Sequence, residues 1–159
     1  MKKNKTFIIF ICAQIIFLMM FIITFWIEKG VSVRIFDVML FWGYDVAHAQ
    51  TFINEVSDQG LFLYVYILQP LDMVYPLLMS LFFYRSLKSD HFFKKVTFIA
   101  FFVLLFDYAE NIFVRLMLTQ NSLSSQMVLF SSLMTQLKAW FYMLNFLIIM
   151  FVYIKKWLF

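Results

Sequence analysis

Apolar residues in this chain gather in four long runs, Phe7 to Ile27, Leu61 to Tyr84, Val96 to Leu118 and about Ser131 to Ile154, with charge returning between them. Each run reaches the roughly 20 residues a helix needs to cross a hydrocarbon core about 30 Å thick. A closed barrel is the other backbone solution in lipid, and these runs lack the alternating period of barrel strands. The pattern predicts an all-α fold, an integral membrane four-helix bundle built as a single domain over residues 1–159.

The segment Glu28 to Gly60 between the first two runs has its own pattern. Val46, Ala49, Phe52, Ile53 and Val56 recur at helical spacing after Asp45, a residue type that caps helix N-termini. An amphipathic helix lying on the outer interface is expected there, with Gly60 ending it and its apolar face toward lipid or the bundle. It would act as a connector or as a lid. The stretch Val31 to Trp42 shows no period that assigns it.

Composition sharpens the same picture. The chain is 64% hydrophobic and 14% charged, against roughly 45 to 50% and 25% in soluble domains. Three Gly, two Pro and one Cys leave no linker and no internal disulfide. The net charge of +4 does not mark a nucleic-acid binder, because the Lys and Arg flank apolar runs instead of sharing one exposed face.

That placement predicts orientation, since cytoplasmic segments retain Lys and Arg. Lys2, Lys3, Lys5, Arg85, Lys88, Lys94, Lys95, Lys155 and Lys156 all fall on one side. Lys29 and Arg34 lie opposite, among Glu28, Asp37, Asp45, Glu55 and Asp58, together with an uncharged turn from Thr119 to Phe130. The expectation is a multi-pass protein of the plasma membrane with both termini cytoplasmic. Ala47-His48-Ala49 resembles a signal-cleavage triplet but lies far beyond the first run, so that run reads as an uncleaved anchor.

Candidate chemistry lies inside the runs. An ionised Asp, Lys or Arg at a helix centre costs about 2.5 to 3.5 kcal/mol on insertion scales, yet Asp72, Asp107, Glu110 and Lys138 all sit within spans. Residues three and four apart share a helix face. Gln69, Asp72, Pro76 and Ser80 then form one stripe, Asp107, Asn111 and Arg115 a second with Glu110 on its edge, and Ser131, Thr135, Lys138, Tyr142 and Asn145 a third. The first span has only Gln14 and Thr24 and suits a peripheral place. At about 1.5 Å per residue the acids and the Lys fall roughly 10 to 16 Å below the outer ends, so one cluster is expected in the outer half. Three carboxylates against Lys138 leave an acidic excess, which a proton, a cation or water must balance.

Asp72, Asp107, Glu110, Asn111, Lys138 and Thr135 are accordingly the candidates for ligand binding or proton relay. Acid-base chemistry fits their types. No metal is expected, since the spans contain no His and Lys138 would oppose a cation. No cofactor is indicated, and no nucleophile motif accompanies Cys12. The 23 Phe, 8 Tyr and 11 Met read as packing and lipid contact, with no ligand assigned to them.

The set Leu68-Gln69-Pro70-Leu71-Asp72 with Pro76, Asp107-Tyr108-Ala109-Glu110-Asn111, Thr135 with Lys138, and Gly43-Tyr44 resembles small bacterial four-helix membrane proteins of unassigned function. That resemblance supplies no activity. In architecture, with Asp72 and Pro76 following an outer-loop helix, the chain is also similar to the emopamil-binding protein and sigma-2 receptor group, whose likeness implies a lipophilic ligand. Three functions are expected as alternatives: a site that binds or modifies a small lipophilic molecule, an accessory subunit whose charges only pair helices, and a proton-linked carrier. The partners expected are the bilayer, such a molecule, and a homo-oligomer or larger membrane complex.

The orientation is checked by cysteine labelling in a Cys12→Ala background. Asn54→Cys should react with an impermeant maleimide on intact cells, and His91→Cys only after permeabilisation. The reverse pattern overturns the orientation.

Overall fold

The computed structural model describes residues 2–88, 90–91, 93–119 and 123–158, and the side chains of residues 5–155 among them. The flanking charges Lys2, Lys3 and Lys156 lie outside the described side chains, and positions 120–122 of the predicted uncharged turn lie outside the described residues. Among the described residues the regular structure is helical, with no strand. We number five helices: α1 (Lys2–Ile27), α2 (Val46–Glu55), α3 (Asp58–Leu87), α4 (Ile99–Thr119) and α5 (Ser125–Leu158). All but α2 are long and apolar enough to cross a membrane. The helix begun at Ser125 starts about two turns earlier than the apolar run suggests, and its 34 residues make it about 50 Å long.

Helix α3 packs against α1, α4 and α5, and α4 lies along α5. Helix α1 is peripheral: Phe7, Phe21 and Phe25 are exposed, and Ala13 is one of its few buried residues. Gln14 reaches Met79 only through a weak contact to sulfur.

A local irregularity sets the face that α3 presents. Pro70 has no N–H to give the carbonyl four residues back, and its ring would crowd that carbonyl. The helix widens to a π-turn over Tyr64–Leu68, where the Gln69 N–H bonds the Tyr64 oxygen. Inserting one residue in this way rotates the later turns of the helix about its axis. Tyr64, Leu68, Gln69, Asp72, Pro76 and Ser80 are all buried as a result.

The segment between α1 and α2 forms a strap over one end of the bundle. Gly30, at φ +88°, turns the chain away from α1, and Gly43, at φ +67°, returns it toward α2. Between them a short 3-10 turn, Phe36–Val38, drives Ile35 and Phe36 fully into the core. Glu28 accepts from Arg34 Nη1 at 2.8 Å and from the Ile35 N–H at 2.9 Å. Glu55 accepts from the Ser32 hydroxyl and amide, both at 2.6 Å. The strap docks on α5 through Tyr44, whose N–H bonds Ser132 Oγ at 2.8 Å and whose phenol donates to Ser131 Oγ at 2.6 Å.

Helix α2 starts as its sequence predicts, with the Asp45 carboxylate accepting from the His48 N–H. Its apolar face turns to the bundle: Ala49 and Phe52 are buried with Phe36 and Tyr64. Gly60 does not end it. The helix stops at Glu55, Ser57 caps α3, and Gly60 lies buried in the first turn of α3, where its own N–H bonds the Ser57 hydroxyl. Glycine commonly ends helices, but here the serine three residues before it makes the same segment a helix start.

The strap's docking can be tested at its two glycines. A Cβ at Gly43 would run into Gln136 and Ser132, whereas one at Gly30 meets nothing. Both positions carry the left-handed backbone penalty of about 1 to 2 kcal/mol. Gly43→Ala should therefore lower the melting temperature in detergent by several degrees more than Gly30→Ala, and equal shifts would refute the docking. The strap should also loosen in acid. The Ser32 hydroxyl, and after it the Ser32 amide, hold the Glu55 carboxyl below the usual glutamate range. A depressed carboxyl stabilises above its unfolded pKa, and that contribution disappears as pH falls through its folded value. Hydrogen exchange at the Ser32 amide, corrected for intrinsic rate, should accelerate as the pH drops below about 4, the ordinary carboxylate range, with Glu55→Gln abolishing the change.

Candidate functional site

Two apolar clusters divide the bundle. One, with Phe36, Phe52 and Tyr64, lies under the strap. The other, with Met79, Phe83, Ala100, Val103 and Ile149, fills the opposite half. Between them lies a polar layer made by the stripes of α3, α4 and α5.

Its centre is Lys138, which is 4% exposed. The ammonium forms a close ion pair with Glu110, and lies 3.3 Å from Asp37 Oδ1 and 3.6 Å from Asp107 Oδ1. Asp72 is held one step further out: Asn111 Nδ2 donates to Asp72 Oδ2 at 2.6 Å and lies 3.4 Å from Asp107 Oδ1. Thr135 donates its hydroxyl to Glu110 Oε1. Tyr142 donates to Asp107 at 3.3 Å, and Gln69 Nε2 to the Asn111 carbonyl at 3.2 Å. All six candidate residues from the sequence, Asp72, Asp107, Glu110, Asn111, Thr135 and Lys138, are buried and joined in one network.

One expectation is corrected: Arg115, spaced to share the α4 stripe though toward its outer rim, is exposed, and the buried face of α4 runs through Asp107, Glu110, Asn111 and Val114. Glu110, expected in the cluster from the edge of that stripe, is wholly buried and in contact with Lys138. The helix turns by about 100° per residue, so a face drawn through 107, 111 and 115 drifts away from one centred on 107, 110, 111 and 114.

Asp37 is the site residue that the sequence did not single out. The strap carries its carboxylate down to Lys138, and Tyr64 donates to its other oxygen at 2.8 Å. The one available signal was the apolar pair Ile35-Phe36 beside it in a segment without helical period. Four carboxyls thus face one ammonium, an excess of three if all were ionised. Buried charge of one sign is costly unless paired. Among the described residues, no three Asp, Glu, His or Cys side chains are grouped to hold a metal ion; Asp37, Asp107 and Glu110 are directed at the Lys138 nitrogen.

Beside the layer, at the strap end, a crevice of about 470 Å³ opens between the strap, α2 and α5, lined by Met39, Trp42, Gly43, Tyr44, Asp45, His48, Leu129, Ser132 and Gln136. Tyr44 forms its wall toward the layer. Burial raises the Tyr44 phenol above the usual tyrosine range, so it keeps its proton and donates to Ser131. The Thr135 hydroxyl, whose hydrogen goes to Glu110, lies 3.1 Å from the Ser131 carbonyl. Tyr44, Ser131, Thr135 and Glu110 thus stand in a short polar file between the crevice wall and the buried acids. No family model matches this chain, and neither a curated protein nor a solved structure does.

Proposed function

We propose that this is a multi-pass membrane protein, with its strap end outward and its termini cytoplasmic, that binds a small lipophilic molecule beside a carboxyl-rich layer able to exchange protons with it. The observation that carries the reading is the layer's stoichiometry. One Lys and one carboxylate suffice to peg two helices together, and Lys138 with Glu110 would do so. Asp37, Asp72 and Asp107 exceed that need, and ionisable groups inside a membrane mark function more often than not.

Access favours an outward-facing site over a carrier. The half of the bundle away from the strap is closed by Phe83, Met79, Val103 and Ile149. Alternating access needs a route to both sides, commonly through paired helix breaks. Among the described residues only α3 carries a π-turn, at its strap end.

The test separates a binding layer from a structural peg. Lys138→Met or Glu110→Gln alone should destabilise the protein in detergent by about 3 to 5 kcal/mol, because each leaves a buried partner uncompensated, and the double variant should recover most of that loss. Lipophilic molecules that co-purify with the native chain, identified by mass spectrometry, should be absent from the stable double variant and from Asp72→Asn. A stable double variant that retains them would reduce the layer to a structural role.

A further inference from the structure

We infer that the crevice between the strap and α5 is a binding site for the uncharged, hydroxyl-rich headgroup of a membrane amphiphile, such as a sugar on a lipid tail. The inference rests on the outward-facing reading above and names the class of molecule that site would receive.

The lining excludes anions first. It contains no Lys or Arg, and the nearby Arg34 is committed to Glu28 at 2.8 Å, so a phosphate would find no cation. Asp45 does not call for an ammonium either, because it sits at the N-terminus of α2 and accepts from the His48 N–H at 2.8 Å. The positive end of a helix offsets a carboxylate placed there. The rest of the polar lining offers both acceptors and donors. The second Asp45 oxygen is an acceptor. His48 Nε2 lies 2.8 Å from the Arg34 carbonyl, which can only accept, so Nε2 carries a hydrogen. The Gln136 amide, packed against Gly43, adds an acceptor and a donor. Such a mixture suits hydroxyl groups, which both donate and accept.

The apolar side fits the same ligand. Trp42 is 88% exposed, an unusual state for so large a ring, and its face is free for the C–H face of a sugar or polyol. Met39 and Leu129 complete the floor, and Leu129 and Leu133, four residues apart on one face and both exposed, carry the apolar surface onward along the outside of α5, where a tail would run. The volume of about 470 Å³ lies within the roughly 300 to 1,000 Å³ of small-molecule sites. A headgroup seated here touches Tyr44, and through it the file leading to Glu110.

The test uses the full chain carrying Cys12→Ala and Leu129→Cys in phosphatidylcholine nanodiscs, reading the rate of maleimide labelling at position 129. The probes are hexyl glucoside, hexyltrimethylammonium and hexyl phosphate. Hexyl glucoside should protect saturably, the other two only weakly. Asp45→Asn keeps the helix cap and, by exchanging one acceptor oxygen for an amide donor, should weaken that protection by no more than about fivefold, the effect of one hydrogen bond. Gln136→Leu should weaken the glucoside's apparent affinity by about fivefold, the effect of one hydrogen bond, and Trp42→Ala by at least as much. Equal protection by all three probes, or preferred protection by the ammonium that Asp45→Asn abolishes, or by the phosphate, overturns the proposal. Loss of co-purifying molecules from the Lys138→Met, Glu110→Gln double variant, with no glucoside protection in the native chain, would overturn this inference and leave the proposed function standing.

Discussion

The ammonium of Lys138 cannot stay charged inside an apolar bundle without anions around it, and much of the molecule is arranged to provide them. Desolvating an ion costs several kcal/mol even after relaxation. Glu110 and Asp107 approach from α4, and Asp37 from the strap. Asp72, from α3, is tied in by Asn111. A single group thus brings together three helices and an irregular segment. Removing it would leave four carboxyls facing one another across an apolar interior.

The surrounding structure makes that convergence possible. The π-turn at Tyr64–Leu68 absorbs Pro70 and sets Gln69 and Asp72 on the inner face. Phe36, Phe52 and Tyr64 seal the layer at one end and Phe83 with its neighbours at the other, so each electrostatic contact operates in a medium of low polarity, where it is stronger than in water. Side-chain identities around the layer are correspondingly specific. Tyr64, Tyr142 and Thr135 are donors, and each gives its hydrogen to a carboxyl of the layer.

The four long helices and the polar residues on them are legible in the sequence, because hydrophobic length and a three-four spacing are properties of single segments. Lys138, Thr135 and Asn111 can be assigned to an inner face without knowledge of their partners. Asp37 cannot. It sits in a stretch without period, and its reach to Lys138 depends on the backbone turns at Gly30 and Gly43 and on the burial of Phe36, all of them tertiary facts. Arg115 shows the opposite failure: spacing alone puts it in the stripe, and spacing does not fix where the centre of a buried face lies. Gly60 misleads because the same residue serves at a helix end or just inside a helix start, and only the Ser57 cap decides between them.

The order in which the chain is made gives the polar layer a further meaning. Asp37, Asp72, Asp107 and Glu110 all precede Lys138 in the sequence, so during synthesis the acids emerge first and their counter-ion arrives only with the last helix. Until α5 packs, the carboxyls of the strap, α3 and α4 lack the ammonium they surround in the finished fold, and α5 carries a Lys that finds its partners in segments already made. Docking of the final helix and completion of the polar layer are thereby the same event. A chain that stops before residue 138 keeps the four acids and lacks the counter-ion that the finished fold sets among them.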